Sequence, residues 1–326
     1  MPILKTVKKI PGGLMVVPLL LGAVINTFWG NILWNGADSL FNGTFTQHLW
    51  KSGAMPILAV FLFCNGATIN FKKAGVPLAK GVILTVVKVG VGIIVGVLIS
   101  VITGGNGLLG LTPLAIVAAI ANSNGGLYAS LAGEYGDNTD VGAVSILSIN
   151  DGPFFTMVAL GASGIANIPI NALIGCVIPI VIGCILGNLD EDIRNFCEPG
   201  ASMMIPFFSF PLGAGLDLRN LIVGGAPGIL LGVVCCLLTG FVGYYVYKAL
   251  QPVKGLGIAH PEVGAAIGTT AGNAAATPVA VAAVDASLKG IADAATAQVT
   301  CAVIVTAILC PILVTWLHNR EAKKAA

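Results

Sequence analysis

Charge is what this sequence has least of. Only 9% of its 326 residues are Asp, Glu, Lys or Arg, against 56% hydrophobic, and the mean hydropathy is +0.94. A soluble domain carries roughly 25% charged residues. So few charges could not wet a soluble body of this size, and no polar stretch is long enough to form a domain outside a membrane. The net charge of +2 and the lack of any basic patch interleaved with aromatics exclude nucleic acid as a partner. The three histidines include no HExxH frame, which leaves no zinc or metalloprotease site. Paired catalytic carboxylates are missing from the apolar runs, so an intramembrane enzyme is set aside and no cofactor or metal is expected. The eight cysteines form no CxxC pair and lie inside apolar runs, as small core residues do.

What is abundant is long apolar sequence. Lys5, Lys8 and Lys9 precede a run from Ile10 to Phe28. No small-residue cleavage site follows, so an uncleaved first helix is expected rather than a leader. Further spans are placed near 54–70, 77–102, 110–133, 141–162, 169–187, 201–217, 221–249, 258–284 and 294–317. The expectation is thus an all-α polytopic membrane protein of ten transmembrane helices. With both termini in the cytoplasm, the inner segments hold Lys5, Lys8, Lys9, Lys72, Lys73, Lys80, Arg194, Lys248, Lys254, Arg320, Lys323 and Lys324. The outer segments hold only Lys51, Arg219 and Lys289, a bias in the direction the positive-inside rule requires.

The chain also repeats itself. Gly66-Ala67-Thr68-Ile69-Asn70-Phe71-Lys72 returns as Gly213-Ala214-Gly215-Leu216-Asp217-Leu218-Arg219, an offset of 147 residues. At the same offset Ala118-Ala119-Ile120 returns as Ala265-Ala266-Ile267, and Gly125 falls on Gly272. Pro18-Leu19-Leu20-Leu21-Gly22 in the first span echoes Pro179-Ile180-Val181-Ile182-Gly183 in the sixth, at a slightly larger offset. The expected division is a first five-helix repeat over 1–162 and a second over 163–326. Five is odd, so the second copy would be inverted in the membrane, an arrangement typical of secondary transporters.

Spans four and nine are interrupted. Asn122-Ser123-Asn124-Gly125-Gly126 breaks the first, and Thr269-Thr270-Ala271-Gly272-Asn273 followed by Thr277-Pro278 breaks the second. Such breaks free backbone N–H and C=O groups inside the bilayer, which are tolerated only around a cavity or a ligand. Repeat-related breaks are expected to meet near the midplane, with half-helix N-termini offering donors and positive dipole ends to an anion. The bland alternative is a pair of Gly/Ser helix-packing motifs. Candidate substrate-binding residues are therefore Asn122, Ser123, Asn124, Gly125, Thr269, Thr270, Gly272 and Asn273. Lys88, mid-way along span three, either pairs with a substrate carboxylate or with Asp151, or snorkels to the interface. Asp151 lies within span five, where a carboxylate is costly and functional by default. It is the candidate for proton coupling, with Ser148, Asn150 and Gln298 as polar support; its alternative is a neutral hydrogen-bonding group. His260-Pro261-Glu262 opens span nine as a candidate gate. Glu134, Asp137 and Asp140, like Asp190, Glu191 and Asp192, read as solvated loop acids.

Several strings resemble the 2-keto-3-deoxygluconate permease family across nearly the whole chain. They are Lys9-Ile10-Pro11-Gly12-Gly13-Leu14-Met15, Pro56-Ile57-Leu58-Ala59-Val60, Asn124-Gly125-Gly126-Leu127-Tyr128-Ala129-Ser130, Leu186-Gly187-Asn188-Leu189-Asp190 and Ile205-Pro206-Phe207-Phe208. The resemblance implies a proton-coupled importer of that small anionic sugar acid, a product of pectin breakdown, in the bacterial inner membrane among its lipids. It implies a fold similar to the bile acid–sodium symporters. In that fold a panel of helices 1, 2, 6 and 7 (about 10–70 and 169–217) faces a core (about 77–162 and 221–317) holding the crossed helices, and the core moves like an elevator. Some members carry an acidic residue in the first crossing element; this chain has Ala121 and Asn122 there, which leaves Asp151 as the expected coupling group. Sodium coupling of another organic anion is the alternative reading, since Asn, Ser, Thr and Gln oxygens also ligate sodium. A homodimer is compatible with the sequence.

Overall fold

A computed structural model describes residues 2–9, 13–70, 75–215 and 218–325; the side chains of Met15, Asp151, Ala201, 219–225 and Ala325 are outside the description. The described residues are helical, with no strands. A short α1 (Ile3–Val7) leads to α2 (Gly13–Leu33), α3 (Phe45–Trp50), α4 (Ala54–Thr68) and α5 (Val76–Thr103). Next come α6 (Pro113–Ile120), α7 (Gly125–Tyr135), α8 (Asn138–Gly142), α9 (Val144–Leu147), a 3-10 turn over Ser148–Asp151, and α10 (Pro153–Ala162). The rest of the chain forms α11 (Ile170–Leu189), α12 (Glu191–Cys197), α13 (Gly200–Gly213) and α14 (Leu218–Leu250). Two 3-10 segments, Pro261–Ile267 and Gly272–Ala276, then precede α15 (Thr277–Val284) and α16 (Lys289–Ala325).

Seven of these segments are long and apolar enough to cross a membrane, or eight if 138–150 and 153–162, bent by 65°, form one span. Two apolar helices at expected spans, α4 with 15 residues and α13 with 14, are shorter than a full crossing. Large apolar side chains such as Leu21, Val86, Ile94, Val101, Ile174 and Trp316 stand exposed around the outside, as a lipid-facing surface requires. The chain is a multi-pass membrane protein.

Helices α2, α4, α11 and α13 pack on one another, α4 against α11 and α13, and α2 against α13. Their seams close on glycine. A Cβ at Gly22 would strike the α13 backbone at Phe210 and Ala214, and one at Gly213 would strike Leu19 of α2. In the other seam Gly66 abuts the backbone of Ile180, while Gly183 and Gly187 abut that of Phe63 and Ala67. With little hydrophobic drive between helices in lipid, such close backbone approach supplies the dispersion contact that holds them. A second group gathers α5, α6, α14 and α16 around the two interrupted segments.

Both interruptions have local causes. Thr112 caps α6 by accepting from the Ala115 N–H at 3.1 Å, with Pro113 in the first turn. Helix α6 stops at Ile120, and Asn124, in an extended conformation, caps α7 by accepting from the Leu127 N–H at 2.9 Å. The second segment leaves helix after Ile267 and resumes at Gly272. Pro278 sits in the first turn of α15, a place where a missing N–H costs nothing.

Candidate functional site

The two breaks touch. The Asn124 N–H donates to Thr269 Oγ1 at 2.9 Å, and Thr270 Oγ1 donates to the Ala119 carbonyl at 3.1 Å. Asn122 ties three segments: its Oδ1 accepts from the Ala271 N–H at 3.1 Å, and its Nδ2 donates to the Asn150 carbonyl at 2.7 Å. Asn150 Nδ2 reaches Ser123 Oγ at 3.4 Å. Asn122, Ser123, Thr269 and Thr270 are all buried. These four hold the breaks in register and keep most of their polar groups satisfied within the protein.

Beside them lies a cavity of about 670 Å³, within the usual size range for small-molecule sites. Its wall takes Asn124, Gly126 and Ser130 from α7, Ser148 from the 3-10 turn, and Ala271, Gly272 and Asn273 from the second break. The opposite wall takes Phe61 and Asn65 of α4 and Ser202 and Ile205 of α13. Exposed Lys8, Lys9 and Glu198 also line it, so it reaches the surface there. The N-terminal turns of α7 and of the Gly272 segment therefore face one space with their positive dipole ends. Asn273 Oδ1 is buried with no hydrogen-bond partner in the protein, an acceptor available to a hydroxyl group.

The predicted residues thus fall into two sets. Asn124, Gly272, Asn273 and Ser148 line the cavity; Asn122, Ser123, Asn150, Thr269 and Thr270 brace it from behind, and buried Gly125 opens α7. Gln298 lies elsewhere: its Oε1 accepts from the Thr112 N–H at 2.9 Å and its Nε2 donates to the Gly110 carbonyl at 2.9 Å, so it secures the start of α6. The Asp151 side chain lies outside the described residues. Lys88 does not line the cavity; it is fully buried, its Nζ held by Thr239 Oγ1 and the Thr269 carbonyl, both at 2.9 Å. Glu262 is also buried, with His318 Nδ1 at 2.8 Å and His260 Nδ1 at 3.4 Å. Asp140, read as a loop acid, forms a buried ion pair with Lys80 at 2.7 Å.

Sequence reasoning missed Asn65, Ser130, Ser202 and Glu198 as lining residues. Asn65 stands directly before the Gly66 repeat motif, and Ser130 closes the Asn124–Ser130 string, so both lay beside signals already noticed. Lys8 entered the sequence reading only for orientation, and Lys9 for orientation and as the start of the Lys9–Met15 string.

Apolar helices around a cavity that carries Asn and Ser side chains and opens to the surface define a multi-pass membrane protein with a site for a small solute. Comparison with known proteins narrows this class. Residues 4–323 match the 2-keto-3-deoxygluconate permease family. The chain is 50% identical over 327 residues to 2-keto-3-deoxygluconate permease 1 of Salmonella typhimurium, covering 100% of this chain and 98% of the relative. It is 40% identical to the 2-keto-3-deoxygluconate permease of Escherichia coli O9:H4 (100% and 97% covered) and 39% to that of Bacillus subtilis (99% and 96%). The chain belongs to the 2-keto-3-deoxygluconate permease family, as its motifs led one to expect, and is a transporter rather than an enzyme.

Proposed function

We propose that the chain imports 2-keto-3-deoxygluconate together with a proton across the bacterial inner membrane, by alternating access. The observation that carries this reading is the meeting of the two broken segments at the wall of the 670 Å³ cavity. A sugar acid needs donors for its carboxylate and mixed partners for its hydroxyls. The turns at Gly126 and Gly272 supply the first; Asn124, Asn273, Asn65, Ser130 and Ser148 supply the second. The permease names of the full-length relatives support the substrate.

The reading includes ten spans in two inverted repeats, both termini being cytoplasmic. The glycine seams support it: Gly22 and Gly183 are one repeat-related pair, Gly66 and Gly213 the other. Gly22 packs on α13 and Gly183 on α4, as a two-fold exchange of the repeats requires. The packing of α2, α4, α11 and α13 on one another supports a panel against which the core slides. The cavity lies between the two groups, where such sliding would carry a bound solute.

Uptake of labelled 2-keto-3-deoxygluconate into proteoliposomes, with an inward proton gradient and no sodium, tests the reading. Accumulation that a protonophore abolishes is expected; uptake only on adding sodium would replace the coupling ion, and none under either gradient would remove the substrate. Asp151→Asn tests the acidic candidate for the proton: if Asp151 carries it, accumulation is lost while exchange survives.

A further inference from the structure

The most unusual ionisable group in the described residues is Lys88. It lies fully buried in the middle of α5, and no carboxylate approaches it within ion-pair distance among the described residues. Its surroundings are built for the ammonium form. Thr239 Oγ1, at 2.9 Å, spends its own proton on the Cys235 carbonyl at 2.8 Å and so faces Lys88 as an acceptor. The Thr269 carbonyl, at 2.9 Å, can only accept. Cys235 Sγ, at 3.6 Å, directs its proton to the Ala119 carbonyl. Three acceptors thus meet the three protons of an ammonium. Among the described residues the titratable groups facing it are thiols: Cys235 and Cys236 of α14 and Cys310 of α16. None offers the compensation a carboxylate would.

A buried ammonium is costly unless an opposite charge stands near it, and none does among the described residues. The opposite charge has a place to arrive. Thr269 holds Lys88 through its carbonyl, and through its hydroxyl it accepts from the N–H of Asn124, on the cavity wall. One residue therefore separates the ammonium from the anion site, and the two charges would attract through protein rather than water.

We propose that Lys88 carries the proton that accompanies the anion. With substrate bound, the amine takes a proton from the outer side and becomes an ammonium, so that cation and carboxylate cross as a neutral pair. When the anion leaves on the inner side, the ammonium returns its proton to water there, and the empty carrier resets as a neutral amine. One proton and one anion move per cycle, with no net charge. The inference rests on the transport reading above.

The test uses the full chain in proteoliposomes, with labelled 2-keto-3-deoxygluconate as probe, measuring counterflow exchange and proton-driven accumulation separately. For the wild type, a gradient of one pH unit should give about tenfold accumulation, insensitive to an imposed membrane potential. Lys88→Arg, permanently charged, should exchange within a few-fold of wild type yet accumulate nothing above equilibrium, because its empty form cannot reset. Lys88→Gln should also lose proton-driven accumulation, and any remaining uptake should follow the membrane potential. Tenfold accumulation by either variant would overturn the inference. So would loss of exchange in both, which would make Lys88 a structural cross-link, or accumulation lost in Asp151→Asn but kept in Lys88→Arg. If the wild type shows no exchange, the transport reading itself fails, a result distinct from all of these.

Discussion

Replacing Gly66 by alanine tests how the α4–α11 seam is held. The added Cβ would lie 2.8 Å from both the carbonyl carbon and the Cα of Ile180, and nearer still to the carbonyl oxygen. Carbon atoms rest at about 3.5–4.0 Å, so the helices must part by about 1 Å. Backbone cannot rotate aside as a side chain can, and parting also loosens the contacts of Gly183 and Gly187 with Phe63 and Ala67. Overpacking of this kind costs about 1–3 kcal/mol, which for a large domain lowers the melting midpoint by about 2 °C per kcal/mol. A fall of about 2–6 °C is therefore expected in a tryptophan-fluorescence melt of detergent-solubilised protein. Gly175→Ala is the control: it lies on α11 with nothing within 4 Å, and alanine favours helix over glycine by about 1 kcal/mol. Its midpoint should hold or rise. If Gly66→Ala melts with Gly175→Ala, the seam is not set by backbone contact.

Two other expectations follow from buried polar links. Asp140→Asn removes the carboxylate 2.7 Å from buried Lys80 and should cost about 3–5 kcal/mol, seen as a lowered melt; Lys80→Met with Asp140→Leu should recover most of it. Asn122→Ala strips the Ala271 N–H and the Asn150 carbonyl of their partner, at about 1–3 kcal/mol each. Binding of 2-keto-3-deoxygluconate by calorimetry should weaken at least tenfold; unchanged affinity would show that this bracing does not set the site.

Membrane class, the positions of the two helix breaks and the family resemblance were all legible in the sequence. Each rests on local information: hydropathy over about 20 residues, Asn and Gly where a helix must stop, a string such as Asn124–Ser130. Asn65 and Ser202 were not legible as lining residues. Their helices, α4 and α13, become a cavity wall only by facing α7 and the second break, which no pattern within either helix specifies. Gln298 was expected to support the coupling site, yet its partners are Gly110 and Thr112, far away in sequence.

By itself, then, the sequence determined that this chain lives in a membrane as apolar helices, where two of them are interrupted, and to which family it belongs. Composition and short-range pattern carry those facts. Tertiary structure alone decided that the breaks bond to each other, that the cavity draws its walls from segments spread between Lys8 and Ala307, and that Lys88 points at Thr269 instead of into that cavity. The last contact joins residues 181 apart. A lysine's sequence position says that a charge is present, but only packing decides which acceptors surround it.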